Sequence, residues 1–150
     1  MPVGNVNQIT NYACGAAALK MVLDYYNVNL SQEKIMKLAR TTKEKGTDPK
    51  DIVTAAKKFG FKVIWKQGWT VDEVKKTLKR GIPIIANFQL EHKKGEGHYA
   101  VIIGFTKNEF IISDPHSGFS FRKINTAKFM NYWYEIEDDT KREGISLFLD

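Results

Sequence analysis

The apolar residues of this 150-residue chain keep two different periods, and the change from one to the other most constrains the fold. Up to Gly81 they recur at helical spacing. Ala18, Leu19, Val22, Leu23 and Tyr26 share one face of a helix predicted over Cys14–Tyr26, after an irregular lead-in over residues 1–13. Ser31 caps a second helix, with Leu30 stapled onto Ile35. Asp48 and Pro49 open a third, which Gly60 stops. Thr70 and Glu73 form a capping box for a fourth, ended by Gly81. Beyond Gly81 the pattern turns β-branched and strand-like. Strands are predicted over Pro83–Gln89, His98–Thr106, Glu109–Ser113, Phe119–Ile124 and Ile145–Leu149, with a short helix over Thr126–Tyr132. Residues 90–97 read as a polar loop, and Phe61–Trp65 is a lone early strand. The expected fold class is α+β: one domain over residues 1–150, its helical first half packed on an antiparallel sheet from the second.

Composition narrows what such a domain does. Hydrophobic residues make up 43% and charged residues 27%, ordinary globular usage that argues against disorder. The single cysteine permits no internal disulfide, so folding does not call for an oxidising compartment. Apolar stretches such as Tyr99–Phe105 are too short to span a bilayer, and the start Met1-Pro2-Val3-Gly4-Asn5 has no secretory signal. A cytoplasmic location is expected. The net charge of +6 comes from lysines scattered over polar helix faces, among them Lys34, Lys37, Lys57, Lys75 and Lys79. No basic run accompanies them, which argues against a nucleic-acid partner.

The lone cysteine, Cys14, stands where the first helix begins, ahead of Gly15 and an Ala-rich run. Unpaired backbone N–H groups and the positive end of the helix dipole favour a thiolate there, the form that attacks carbonyls. Acyl transfer by a thiol also needs a base, a group that orients the base, and donors for the oxyanion. His98 opens the longest predicted strand and would shuttle the proton; Asp114, at the end of the neighbouring strand, would orient it. The backbone N–H of Cys14 and the side-chain amide of Gln8 would face the oxyanion, with Gly15 leaving room for the scissile carbonyl. Singly these residues have plainer explanations: a lone cysteine fills space, Gln8 is a surface amide and Asp114-Pro115 starts a turn. His92 and His116 are competing histidines, expected at the surface. Glu91, His92, Glu96 and His98 match no zinc spacing, so neither metal nor other cofactor is expected. Trp65, Trp69 and Trp133 are expected in the core or the cleft wall.

Gln8–Tyr26 resembles the cysteine box of the C39-type peptidases, papain-like domains that process the double-glycine leaders of bacteriocins, usually at the N-terminus of an ABC exporter. Gly97-His98-Tyr99-Ala-Val-Ile-Ile-Gly104 is similar to that family's histidine box, and Ser113-Asp114-Pro115 to its Asp-Pro; Gly81–Ala86 fits as well. The resemblance implies a Cys14, His98, Asp114 triad with Gln8 as oxyanion donor, and a peptide or precursor-protein substrate. It also implies association with a membrane exporter. Exporter-linked members carry Asp before the cysteine, where this chain has Ala13, and no transporter sequence follows residue 150. The expectation is therefore closer to a stand-alone relative. A narrow cleft admitting glycine would be walled by Tyr12, Tyr99 and Trp133. Alternatives are a non-catalytic peptide-binding module on the same fold, or another thiol acyl-transfer enzyme of amidase or transglutaminase type.

Overall fold

Each of the first four helices begins at its predicted signal. The computed structural model describes residues 2–90, 93–116, 120–135 and 140–149, and places α1 at Cys14–Tyr25, α2 at Gln32–Leu38, α3 at Pro49–Lys57 and α4 at Val71–Lys79. Ser31 Oγ accepts from Lys34 N at 3.2 Å at the start of α2. The box on α4 closes both ways, with Glu73 N donating to Thr70 Oγ1 and Thr70 N to Glu73 Oε1, each at 3.1 Å. Asp48 departs from expectation. It occupies the cap position of α3 but makes no capping bond, because its carboxylate pairs with Lys45 Nζ at 3.0 Å instead.

The strands are β1 (Lys62–Lys66), β2 (Ile84–Leu90), β3 (Lys93–Phe105), β4 (Glu109–Ser113), β5 (Phe121–Asn125) and β8 (Gly144–Phe148). They form one six-stranded sheet ordered β1-β8-β2-β3-β4-β5, with every neighbouring pair antiparallel. The helix α5 (Thr126–Tyr132) and a two-stranded ribbon of β6 (Tyr134–Glu135) and β7 (Thr140–Lys141) lie between β5 and β8. Glu91, His92 and the stretch 117–119, where a loop, a turn and the start of a strand were expected, fall outside the described residues.

Three features differ from the simple two-half layout. The early strand β1 is recruited into the sheet by β8, pairing Lys62 with Phe148 and Lys66 with Gly144, a match between distant segments that no local pattern announces. β3 starts five residues before His98, because β2 supplies pairing partners as far as Leu90–Lys93 through a register shift. The sheet is also covered on both faces. Ile85, Tyr99, Val101, Ile103, Ile145 and Leu147 turn towards α1, α2 and α3. Their alternates Ile84, Phe88, Ala100, Ile102 and Ile112 turn towards α4 and α5. Period-2 alternation of apolar residues with other apolar residues is what a doubly covered sheet requires.

Two indoles lock the second layer. Trp69 and Trp133 are almost fully buried, and their Nε1 atoms donate to the carbonyls of Gly144 (3.2 Å) and Glu143 (2.8 Å). Trp133 is therefore a core residue and not a wall of the cleft. Trp65 is 44% exposed on the edge strand. A Cβ added at Gly144 would stand 2.8 Å from Trp69 Nε1 and 3.0 Å from Ile84 Cγ2. We expect Gly144→Ala to lower the unfolding free energy by about 1–3 kcal/mol, read as a lower urea midpoint with an unchanged slope.

Candidate active site

The N-terminus of α1 is left open. Ala13 takes the cap position with φ −97° and ψ 15°, offers no side-chain bond, and no acid stands in the first turn. By contrast α2, α4 and α5 all begin on a side chain that accepts a backbone N–H. The first N–H groups of α1 therefore lack intrahelical and side-chain caps at the positive end of its dipole. Cys14 is the first residue of this helix and is partly exposed, packing against the core as well. Gly15 has a different reason from the one the sequence implied. A Cβ there would lie 2.9 Å from Thr47 Cβ and 3.1 Å from Tyr99 Cδ2, so glycine is what lets the Thr47 loop and β3 close against the helix.

β3 and β4 bring up the other two groups. His98 pairs across the ladder with Phe88, and its ring meets the Phe88 ring edge-on at 5.7 Å. Its Nε2 lies 2.6 Å from Oδ1 of Asp114, the residue just past β4, which is fully buried. Cys14 also acts on this imidazole, favouring its protonated form. Burial alone would drive the imidazole towards its neutral form. The hydrogen bonds to Asp114 and Cys14, and the charges of both, outweigh burial and push the His98 pKa up to about 9. Sulfur, imidazole and carboxylate thus stand in sequence.

Gln8 arrives on an N-terminal strap. Residues 1–13, read from sequence as irregular, are bound on two sides. Asn5 Nδ2 donates to the Asp114 carbonyl at 2.7 Å, to Ser113 Oγ at 3.1 Å and to the Ser120 carbonyl at 3.2 Å. Gln8 N donates to the Pro115 carbonyl at 2.8 Å, while Gln32 of α2 holds Ile9 N and the Asn7 carbonyl. The strap therefore carries Gln8 to the segment that carries Asp114. The Gln8 amide nitrogen donates to the Thr10 carbonyl at 2.8 Å, which uses one of its two hydrogens.

Two residues here were not anticipated. Asn5 leaves no mark in the sequence, since its partners, two carbonyls and the Ser113 hydroxyl, lie more than a hundred positions away. Arg122 was legible: on β5 it alternates with exposed Phe121 and Lys123 and keeps phase with buried Ile124, so it points inward. Its Nη1 lies 3.7 Å from Asp114 Oδ2. It also lines a small, partly open pocket with Phe88, Gln89, Ile124, Phe129 and Tyr132. His116 stands beside the site, its ring 6.2 Å from that of His98, and its backbone N–H donates to Asp114 Oδ1 at 2.9 Å. Among the described residues no three His, Cys, Asp or Glu side chains gather as a metal site would need.

The description "Peptidase_C39 like family" belongs to the family model that matches residues 1–140. The mesentericin-Y105 transport/processing ATP-binding protein MesD of Leuconostoc mesenteroides is 32% identical over 144 residues, which is 96% of this chain and 18% of that protein. The chain thus spans under a fifth of the length of this curated relative. The crystal structure of the peptidase domain of Streptococcus ComA, a bi-functional ABC transporter involved in quorum sensing, superposes with a TM-score of 0.76 at 27% identity, covering 99% of both chains. A double glycine motif protease from an AMS/PCAT transporter, crystallised with the leader peptide, has a TM-score of 0.70 at 24% identity, over 96% of this chain and 88% of its own. The fold is the papain-like α+β arrangement expected from the sequence.

His98 holds its proton more tightly folded than unfolded. The stability this adds is complete below the unfolded imidazole's value of about 6.5 and is lost as pH rises through about 9. We expect the urea midpoint of the parent chain to fall between about pH 7 and about pH 10, and His98→Gln to flatten that fall. Parallel pH dependences in the two proteins would remove the pair as its cause.

Proposed function

The chain belongs to the Peptidase_C39 like family and is a cysteine peptidase domain, and we propose that it cuts a precursor peptide after a double-glycine leader site. The observation that carries this reading is the 2.6 Å hydrogen bond between a buried imidazole and a buried carboxylate, with the thiol of an uncapped helix start acting on the same imidazole. In the proposed reaction the Cys14 thiolate attacks the scissile carbonyl carbon. The negative oxygen that forms is met by the Cys14 backbone N–H and the second amide hydrogen of Gln8. His98 then gives its proton to the leaving amine, the C–N bond breaks, and a thioester to Cys14 remains. His98, now neutral, takes a proton from water as the water attacks the thioester; the acid product leaves and the thiolate–imidazolium pair returns. Asp114 holds the ring in one orientation throughout and stabilises the imidazolium.

Support for glycine beside the scissile bond comes from the similar double glycine motif protease crystallised with the leader peptide. Thr47 and Tyr99 are buried and close on Gly15 as core packing, so the support comes from the relatives and not from the width of a cleft. The relative named as a transport/processing protein supports a precursor of that kind as the substrate and a membrane exporter as the partner. No helix among the described residues is long and apolar enough to cross a membrane. We assign the domain to the cytoplasmic side of such an exporter.

The test is incubation with a precursor peptide containing Gly-Gly and with its Leu-Leu counterpart, read by mass spectrometry. Cleavage after the second glycine, with the Leu-Leu peptide left whole, is expected; an intact Gly-Gly peptide overturns the proposal. Cys14→Ala should cut the rate by at least about 10³-fold while leaving peptide affinity within a few-fold. Gln8→Ala should lower kcat by about 10²-fold with little change in KM; an unchanged kcat would remove Gln8 from the oxyanion site.

A further inference from the structure

We propose that Asn5 is a positioning residue for Gln8: by binding the segment that carries Asp114 from the strap that carries Gln8, it sets where the Gln8 amide stands relative to the His98–Asp114 pair. The proposal deepens the peptidase reading above and rests on it for its catalytic meaning.

The strap has little of its own to hold it. Among the described residues, residues 2–9 form no helix or strand, and their only backbone–backbone hydrogen bond runs from Gln8 N to the Pro115 carbonyl at 2.8 Å. Side chains do the rest. Val3 is buried in the core on the α1 side of the sheet. Gln32 of α2 accepts from Ile9 N at 2.9 Å and donates to the Asn7 carbonyl at 3.0 Å, which ties the strap to the helical layer.

The tie to the catalytic segment is Asn5. Its amide nitrogen shares two hydrogens among three acceptors: the Asp114 carbonyl at 2.7 Å, Ser113 Oγ at 3.1 Å and the Ser120 carbonyl at 3.2 Å. Asp114 N already donates to the Ser120 carbonyl at 2.7 Å, so Asn5 grips both sides of that closure. The Ser113 hydroxyl is fully buried, and its hydrogen is shared between the Gly4 carbonyl at 3.1 Å and Met21 Sδ of α1 at 3.0 Å. Strap, α1 and the end of β4 therefore meet at one polar junction. Three positions along the strap, Gln8 N reaches Pro115, the neighbour of Asp114. Asn5 and Gln8 thus bind consecutive residues of one segment, and Asn5 keeps Gln8 in register with the group that orients His98. Only a donor serves at this position: a carboxylate of the same shape would turn oxygen towards two carbonyls.

A strap fixed by so few bonds opens locally without the domain unfolding. Losing Asn5 shifts that local equilibrium, and Gln8 then spends part of its time away from the oxyanion. Turnover falls while binding holds, because the negative oxygen exists only after attack.

The test begins with hydrogen exchange at the Gln8 N–H, followed by NMR in the parent, Asn5→Ala and Asn5→Asp. It continues with a double-mutant cycle in kcat on the Gly-Gly peptide. We expect exchange at Gln8 to quicken by on the order of tenfold in Asn5→Ala, with the amides of α1 and β3 unchanged. The kcat should fall by about 3- to 10-fold with KM held within about twofold, and Asn5→Asp should lose at least as much. In the Gln8→Ala background, Asn5→Ala should cost little further, because the group it positions is gone. Unchanged exchange at Gln8 overturns the proposal. So do a fully active Asn5→Asp and losses of kcat that simply multiply, as a merely structural asparagine would give. If Asn5→Asp does not fold, Asn5→Ala carries every readout. The exchange measurement needs no turnover. A parent chain that cuts no peptide sinks the peptidase reading, while exchange at Gln8 still decides whether Asn5 holds the strap.

Discussion

A fully buried carboxylate bonded to a nearly buried imidazole is the constraint around which this structure is arranged. Neither Asp114 nor His98 can be desolvated alone without heavy cost, so each is tolerable only because the other is in place. Meeting at 2.6 Å demands that β3 and β4 be paired and that the segment after Ser113 be held in place. Asn5 and Gln8 hold it from the front of the chain, and Asp114 N completes it on the Ser120 carbonyl at 2.7 Å. The N-terminal strap, which looks like an untidy lead-in, is thus a structural member of the site.

Helix α1 meets the sheet for a related reason. Gly15, Ala16, Ala17 and Ala18 are all buried, and small side chains let the helix lie close to β3 where Tyr99 and Thr47 press on it. Close approach brings the uncapped start of the helix to the stretch of β3 that carries His98. The missing cap and the missing acid at Ala13 leave the first turn's N–H groups free of side-chain partners, a cost the other capped helices avoid. An unsatisfied helix start beside a thiol and a charged imidazole is a stabilising environment held ready for negative charge.

Much of this was legible beforehand. The helix signals at Ser31, Pro49 and Thr70, the strand Glu109–Ser113 and the helix Thr126–Tyr132 stand where local chemistry puts them. Of the residue types suited to acyl transfer, His98 and Asp114 meet at 2.6 Å, and Cys14 acts on the same imidazole. What the pattern misjudged shares one cause. Asp48 abandoned its cap for Lys45, Trp133 sank into the core to reach the Glu143 carbonyl, and β1 was claimed by β8. Gly15 was explained by an absent substrate when its packing against Thr47 and Tyr99 already requires it. In each case a partner elsewhere in space outcompeted a local preference.

Sequence by itself determined the elements, because capping, turn chemistry and hydrophobic period act over a few residues and need no distant partner. It also supplied side chains of the types that attack a carbonyl, carry a proton and orient a base. Tertiary structure alone decided that the sheet is covered on both faces, that the strap binds the Asp114 turn, and that Arg122 faces Asp114 from a strand eight positions on. Those outcomes depend on pairing register and on the shared need of buried charges for one another, and neither exists until the chain has closed on itself.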